Sequence, residues 1–201
     1  MRLRSMTDNL LPFRRVSPSK RSDALLLSAC AEGDRTALDE LFRRHGDRVR
    51  RILVRLRYIH SSDLDDVLQS TFLEVYRSCA RFTGRAAVGT WIIGIAMNVV
   101  RHYVRSETRR KSALSVVARG PVLRQNGADE QISRRQLLAK LEAGFESLSH
   151  EHRVVFTLCD LEEMKSIEVA RILNIAEGTV WRRLHDARQH LRRHVSEEPG
   201  R

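Results

Sequence analysis

The chain has 201 residues, enough for one medium domain or two small ones that each bury a modest core, and two small ones fit better. Its formal charge of +11, mainly arginine, favours phosphate-rich partners, with nucleic acid ahead of an anionic membrane surface. A membrane span needs about 20 apolar residues; the longest candidate, Trp91 to Val100, is half that and carries Asn98, so the sequence reads as soluble.

Residues 1–22 are rich in Arg and Ser with one acid before Arg21, Asp8, and lack the apolar core of a secretory signal, which predicts a disordered basic arm. From Asp23 to Lys111 apolar residues recur at helical spacing. A first helix through Leu25, Leu26 and Ala29 ends near Gly33. Asp34 caps a second, whose stripe runs Leu38, Leu41, Phe42, Val49, Ile52, Leu53 and Leu56. Ser62 with Asp65 reads as a variant capping box opening a third helix, with Leu64, Val67, Leu68, Phe72 and Val75 near one face. A fourth begins after Thr83-Gly84, carries Trp91, Ile92, Ile95, Ala96, Val99 and Tyr103, and runs into the basic stretch Arg101 to Lys111.

The periodicity then fails, and Gly120, Pro121, Asn126 and Gly127 mark a flexible linker over 113–130. Four more helical segments follow: Ile132–Glu146, Glu151–Asp160, Ser166–Leu173 and Glu177–His194. The expected fold class is therefore all-α, with helical domains over 23–112 and 131–195 and a short tail over 196–201.

Ser166 to Leu184 has the pattern of a helix-turn-helix. Val169, Leu173, Ile175 and Val180 supply the shared core, Ala170 is small at the closest approach, and Asn174 occupies the left-handed turn position. The second helix presents Trp181, Arg182, His185, Asp186 and Gln189 outward, with Arg183, Arg188, Arg192 and Arg193 beside them. Arginine bonds two acceptors of guanine, Trp181 can contact a thymine methyl, and flanking arginines neutralise phosphates, so this helix suits the major groove of duplex DNA. Cys30, Cys79 and Cys159 form no CxxC pair, and His190 with His194 lacks a completing ligand, so neither a disulfide framework nor a metal site is indicated. No cofactor and no catalytic residue is expected, and a reducing cytoplasm suits the cysteines.

Four ordered motifs carry a resemblance: Asp63-Leu-Asp-Asp-Val-Leu-Gln-Ser-Thr-Phe72, Arg81-Phe-Thr-Gly84, Thr90-Trp-Ile-Ile-Gly-Ile-Ala-Met-Asn98 and Glu177-Gly-Thr-Val180. With them the chain resembles the extracytoplasmic-function group of bacterial RNA polymerase sigma factors over roughly Asp23 to Val195. The resemblance implies that the third helix docks on the clamp helices of the largest polymerase subunit through Asp65, Asp66, Gln69 and Phe72. It implies that Arg81, Phe82, Trp91, Asn98, Arg101 and Arg105 serve separated minus-ten DNA, although the apolar stripe also claims Trp91. It gives the minus-thirty-five element to Glu177, Thr179, Trp181, Arg182, Arg183, His185, Asp186 and Arg188. Ser70, on the docking helix, and Gly94 and Met97 depart from the family's usual residues; so do Lys165, Trp181 and Asp186, which predict an unusual promoter sequence read in the same docking mode, and Ser166 is expected to cap the helix in place of Lys165. An anti-sigma partner is implied as well.

Two rivals use the same residues. A stand-alone dimeric helix-turn-helix regulator would need a dimer surface and would bind palindromic DNA without polymerase. A metal-dependent nuclease would use Asp63, Asp65 and Asp66, but the adjacent Asp65 and Asp66 diverge on a helix.

Overall fold

A computed structural model describes residues 21–57, 59–114 and 129–196. The predicted arm over 1–22 lies almost wholly outside them, as do most of the predicted linker and the tail. The described residues form eight α-helices and no strand: α1 (Asp23–Ala31), α2 (Arg35–Leu56), α3 (Leu64–Ser78), α4 (Val88–Leu114), α5 (Asp129–Ser147), α6 (His150–Phe156), α7 (Ser166–Leu173) and α8 (Glu177–Ser196). A short 3-10 turn follows α3, and a π-helical turn, Thr157–Leu161, follows α6.

Local chemistry sets some of the boundaries. Asp34 caps α2 by accepting from the Thr36 amide at 3.0 Å, and Ser149 starts α6 by accepting from His152. The expected capping box at α3 does not form. Asp63 is the N-cap residue without a side-chain capping bond. Its carboxylate instead accepts from Ser62 Oγ at 2.9 Å and from the Tyr103 hydroxyl of α4 at 2.7 Å. That long-range bond ties α3 to α4 and holds the Asp63 carboxyl below its ordinary range. Burial, then the bond to Asp63, pushes the Tyr103 phenol up to about 12.

Leu41, Ile52, Leu53, Val75, Ile92 and Val100 form the centre of the first half's core. Phe42, placed on the apolar stripe by its spacing, is 44 % exposed. It packs edge-on against the buried Phe72, with ring centroids 4.8 Å apart.

The two halves share one apolar core. The cluster built on α1 to α4 continues without a break through Val154, Val155, Leu158, Val169 and Val180 of the second half. Gly94 stands where α7 meets α4: a Cβ there would lie 3.8 Å from the Ile172 carbonyl oxygen, so a bulky side chain would push the helices apart. Polar groups clasp the same seam. The Glu162 side chain, 3 % exposed, faces Arg51 at 3.2 Å, Arg55 at 2.5 Å and Arg48 at 3.9 Å, all from α2. Arg57 reaches Glu142 and Glu146 at 3.4 and 3.0 Å. The buried Arg153 guanidinium donates to the Leu56 carbonyl at 3.2 Å, at the end of α2, where helix carbonyls lack intrahelical partners and the dipole is negative.

Candidate nucleic-acid and polymerase interfaces

The helix-turn-helix forms from α7 and α8 as its sequence predicts. Val169 and Val180 are fully buried between the helices, with Ala170 beside them. Asn174 ends α7 in the left-handed region (φ 52°, ψ 51°), turning the chain sharply into α8. Ser166 does not cap α7: Lys165 is the N-cap residue, and Ser166 Oγ donates to Glu177 Oε1 at 2.5 Å, stapling the start of α7 to the start of α8. Glu177 is thereby engaged inside the motif, with Thr179 half-buried nearby.

The outer face of α8 is open. Trp181 is 55 % exposed, a large apolar surface left uncovered on a helix otherwise rich in arginine. Arg182, His185 and Asp186 are exposed along the same face. His185 pairs with Gln189 at 2.9 Å, and Asp186 lies 3.8 Å from His152. Arg188 is held by both oxygens of Asp160, at 2.9 and 2.6 Å, and Arg183 is half-buried. Trp181 and Arg182 are therefore the freely presented groups, with His185 and Asp186 exposed beside them and held only by neighbours on the surface.

On the first half, α3 presents an acidic and polar strip. Asp66 and Gln69 are exposed, while Asp65 is exposed and paired with Arg50 of α2. Phe72 does not belong to the accessible strip: it is 4 % exposed, because the apolar stripe of α3 turns it into the core. Leu73, 48 % exposed and one turn beyond Gln69, and Phe42 of α2 are the apolar groups that reach the surface there. Sequence spacing assigned Phe42 to the core and passed over Leu73; only helix packing exposes them.

The predicted minus-ten residues cluster at the start and along one side of α4. Phe82 and Trp91 are half-buried and pack edge-on at 5.4 Å, so Trp91 serves the core with one side and leaves the other accessible. Arg81 and Asn98 are exposed, and Arg105 lies one helical turn beyond Arg101. A groove of about 750 Å³ runs between α3 and α4 past Asp66, Ser70, His102, Arg105 and Arg109.

This division into a helical bundle and a helix-turn-helix matches two family descriptions: Sigma-70 region 2 over residues 41–110 and Sigma-70, region 4 over residues 138–191. The chain is 32 % identical over 174 residues to the ECF RNA polymerase sigma factor SigM of Mycobacterium tuberculosis, covering 87 % of this chain and 85 % of that one. The chain belongs to the extracytoplasmic-function sigma factors. It is 30 % identical over 176 residues to the ECF RNA polymerase sigma-E factor of Escherichia coli K12, covering 84 % of the sigma factor described here and 91 % of its relative. Two solved structures share the fold. CnrH in complex with the cytosolic domain of CnrY has a TM-score of 0.60 and 24 % identity, covering 85 % of this chain and 94 % of that one. RpoE with the anti-sigma factor NepR from Bartonella quintana has a TM-score of 0.61 and 17 % identity, covering 80 % and 97 %.

As a sigma factor the chain initiates transcription and catalyses no reaction itself. No helix among its described residues is long and apolar enough to cross a membrane. No group of three or more His, Cys, Asp or Glu residues is arranged to hold a metal there.

Proposed function

We propose a division of labour among named surfaces of this sigma factor. Asp66, Gln69, Leu73 and the exposed edge of Phe42 dock on the clamp helices of core RNA polymerase, with Asp65 at the margin. Arg81, Phe82, Asn98, Arg101 and Arg105 hold the separated minus-ten strand by stacking and phosphate contact, helped by the open side of Trp91. Trp181, Arg182, His185 and Asp186 read the minus-thirty-five duplex in the major groove. Arg183 neutralises phosphate, Arg188 does so only when released from Asp160, and Glu177 and Thr179 shape the motif. The cytoplasm, where polymerase works, is the proposed location.

The observation that carries this reading is the open, mixed-chemistry face of α8 on a packed helix-turn-helix. The packing of the two halves adds a requirement. The promoter elements are about 25 base pairs apart by their names, roughly 85 Å at 3.4 Å per pair, yet α4 packs directly on α7. The halves therefore separate when both elements are engaged. An anti-sigma partner belongs to the same proposal, supported by the solved complex of RpoE with the anti-sigma factor NepR.

Reconstitution is the test. The purified chain is mixed with bacterial core polymerase and assayed for co-elution and promoter-directed initiation. Initiation reduced at least tenfold by Gln69→Ala with Leu73→Ala, with helicity unchanged, is the expected result. A stable dimer that binds palindromic DNA and ignores polymerase would overturn the proposal in favour of a stand-alone regulator.

A further inference from the structure

A cleft of about 560 Å³ opens where α4 faces the helix-turn-helix, and both halves of the chain line it. Arg101 and Arg105 enter from α4 and Arg183 from α8. None of these three guanidiniums lies within ion-pairing distance of a carboxylate among the described residues. Elsewhere along this seam the arginines behave differently: Arg51, Arg55 and Arg57 are all engaged by acids. The cleft thus gathers three guanidiniums that no close ion pair among the described residues neutralises.

Its wall is apolar. Val104, Val154 and Ile175 line the space between the cations, and Asn174, fixed in the left-handed turn, offers an amide beside them. His150 stands at the same wall, where burial and the nearby Arg101, Arg105 and Arg153 hold its imidazole below the ordinary value, against the opposing pull of Glu151. It is neutral at pH 7 and repels no further cation. Glu151 is the one acid among the lining residues, and a hydrogen bond from its own backbone amide, with smaller help from His150, Ser149 and Arg183, holds its carboxyl below the ordinary value.

We propose that this cleft binds a nucleoside polyphosphate, with its phosphates on Arg101, Arg105 and Arg183 and its base against the apolar wall. The volume falls within the range of small-molecule sites, about 300–1,000 Å³, and is too small for a duplex or a folded partner. Arginine forks match phosphate oxygens in geometry as well as charge. The site exists only while the halves are packed together, since each half supplies part of the cation set. Bound ligand therefore favours the packed form by mass action and withdraws from promoter DNA three arginines that the functional proposal above assigns to it. That regulatory consequence rests on the functional proposal; binding itself does not.

The test uses the full chain without polymerase, so its outcome is independent of the reconstitution assay. Magnesium-free GTP and inorganic tripolyphosphate are titrated by calorimetry at about 150 mM salt, where exposed charges are largely screened beyond about 8 Å. The expected result is one saturable GTP site per chain. Arg101→Ala and Arg183→Ala, one from each half, should each weaken it at least fivefold with far-UV circular dichroism unchanged. Arg192→Ala removes equal charge from α8 outside the cleft and should leave binding intact. Absent or multiple-site binding, or an equal loss in Arg192→Ala, would overturn the proposal by reducing the effect to bulk charge. GTP binding no tighter than tripolyphosphate would overturn the place given to the base.

Discussion

Glu162 offers the sharpest test of the packed arrangement. Its side chain is 3 % exposed, and the three arginines around it are 37–52 % exposed. Removing one partner of a fully buried pair costs about 3–5 kcal/mol, whereas an exposed pair is worth about 0.2–1 kcal/mol. With a buried carboxylate and solvent-screened guanidiniums, the contribution falls between these limits, at about 2 kcal/mol. Glu162→Arg removes that attraction and sets four guanidiniums against one another. A loss of about 2 kcal/mol lowers the ratio of packed to separated halves roughly 30-fold. Small-angle X-ray scattering should show a larger radius of gyration for Glu162→Arg than for the parent, with helicity by circular dichroism unchanged. The double variant Glu162→Arg with Arg55→Glu should restore part of the compaction. An unchanged radius in the single reversal would refute the reasoning and leave the fastening to the apolar contact between α4 and α7 and to the Arg57 and Arg153 contacts.

Arg182→Ala should lower affinity for the cognate minus-thirty-five duplex by about 1–3 kcal/mol if it reads a base, measured by fluorescence anisotropy; equal loss on random duplex would reduce it to a phosphate contact. Asp160→Asn should release Arg188 from its bidentate pair, raise non-specific DNA affinity and steepen the plot of log affinity against log salt by about 0.9 for one added phosphate contact. His150 and His190 both lie below the ordinary imidazole value of 6.5, burial being the first cause in each. The unfolded chain therefore binds more protons than the folded one as pH drops through that value, and stability present above it is lost below it. The melting temperature should fall between about pH 7.5 and pH 5.5, and His150→Leu should flatten that slope. Gly144→Ala would bring a Cβ within 2.9 Å of His194 Cβ where α5 meets α8, so thermal or urea denaturation should show a loss of about 1–3 kcal/mol; unchanged stability would mean α5 shifts freely.

The sequence by itself determined the helices, the helix-turn-helix and the family. Each is written in neighbouring residues: a 3.6-residue apolar period, a cap at Asp34, a left-handed turn at Asn174, and motifs in a fixed order. Trp181, Arg182, His185 and Asp186 were legible as an outer face because one helix fixes which residues share a side. Tertiary structure decided which groups stay free to act. Phe72 and Phe42 both carry apolar periodicity, yet packing of α3 on α2 buries the first and exposes the second. Arg182 and Arg188 look alike on α8, but Asp160, 28 residues away in sequence, engages Arg188. Asp63 gives up its capping role to a tyrosine 40 residues on. The shared core and the Glu162 clasp join segments more than 100 residues apart. Local periodicity carries no information about such pairings, because Coulomb attraction and burial depend on distance in space, and only the packed chain sets that distance.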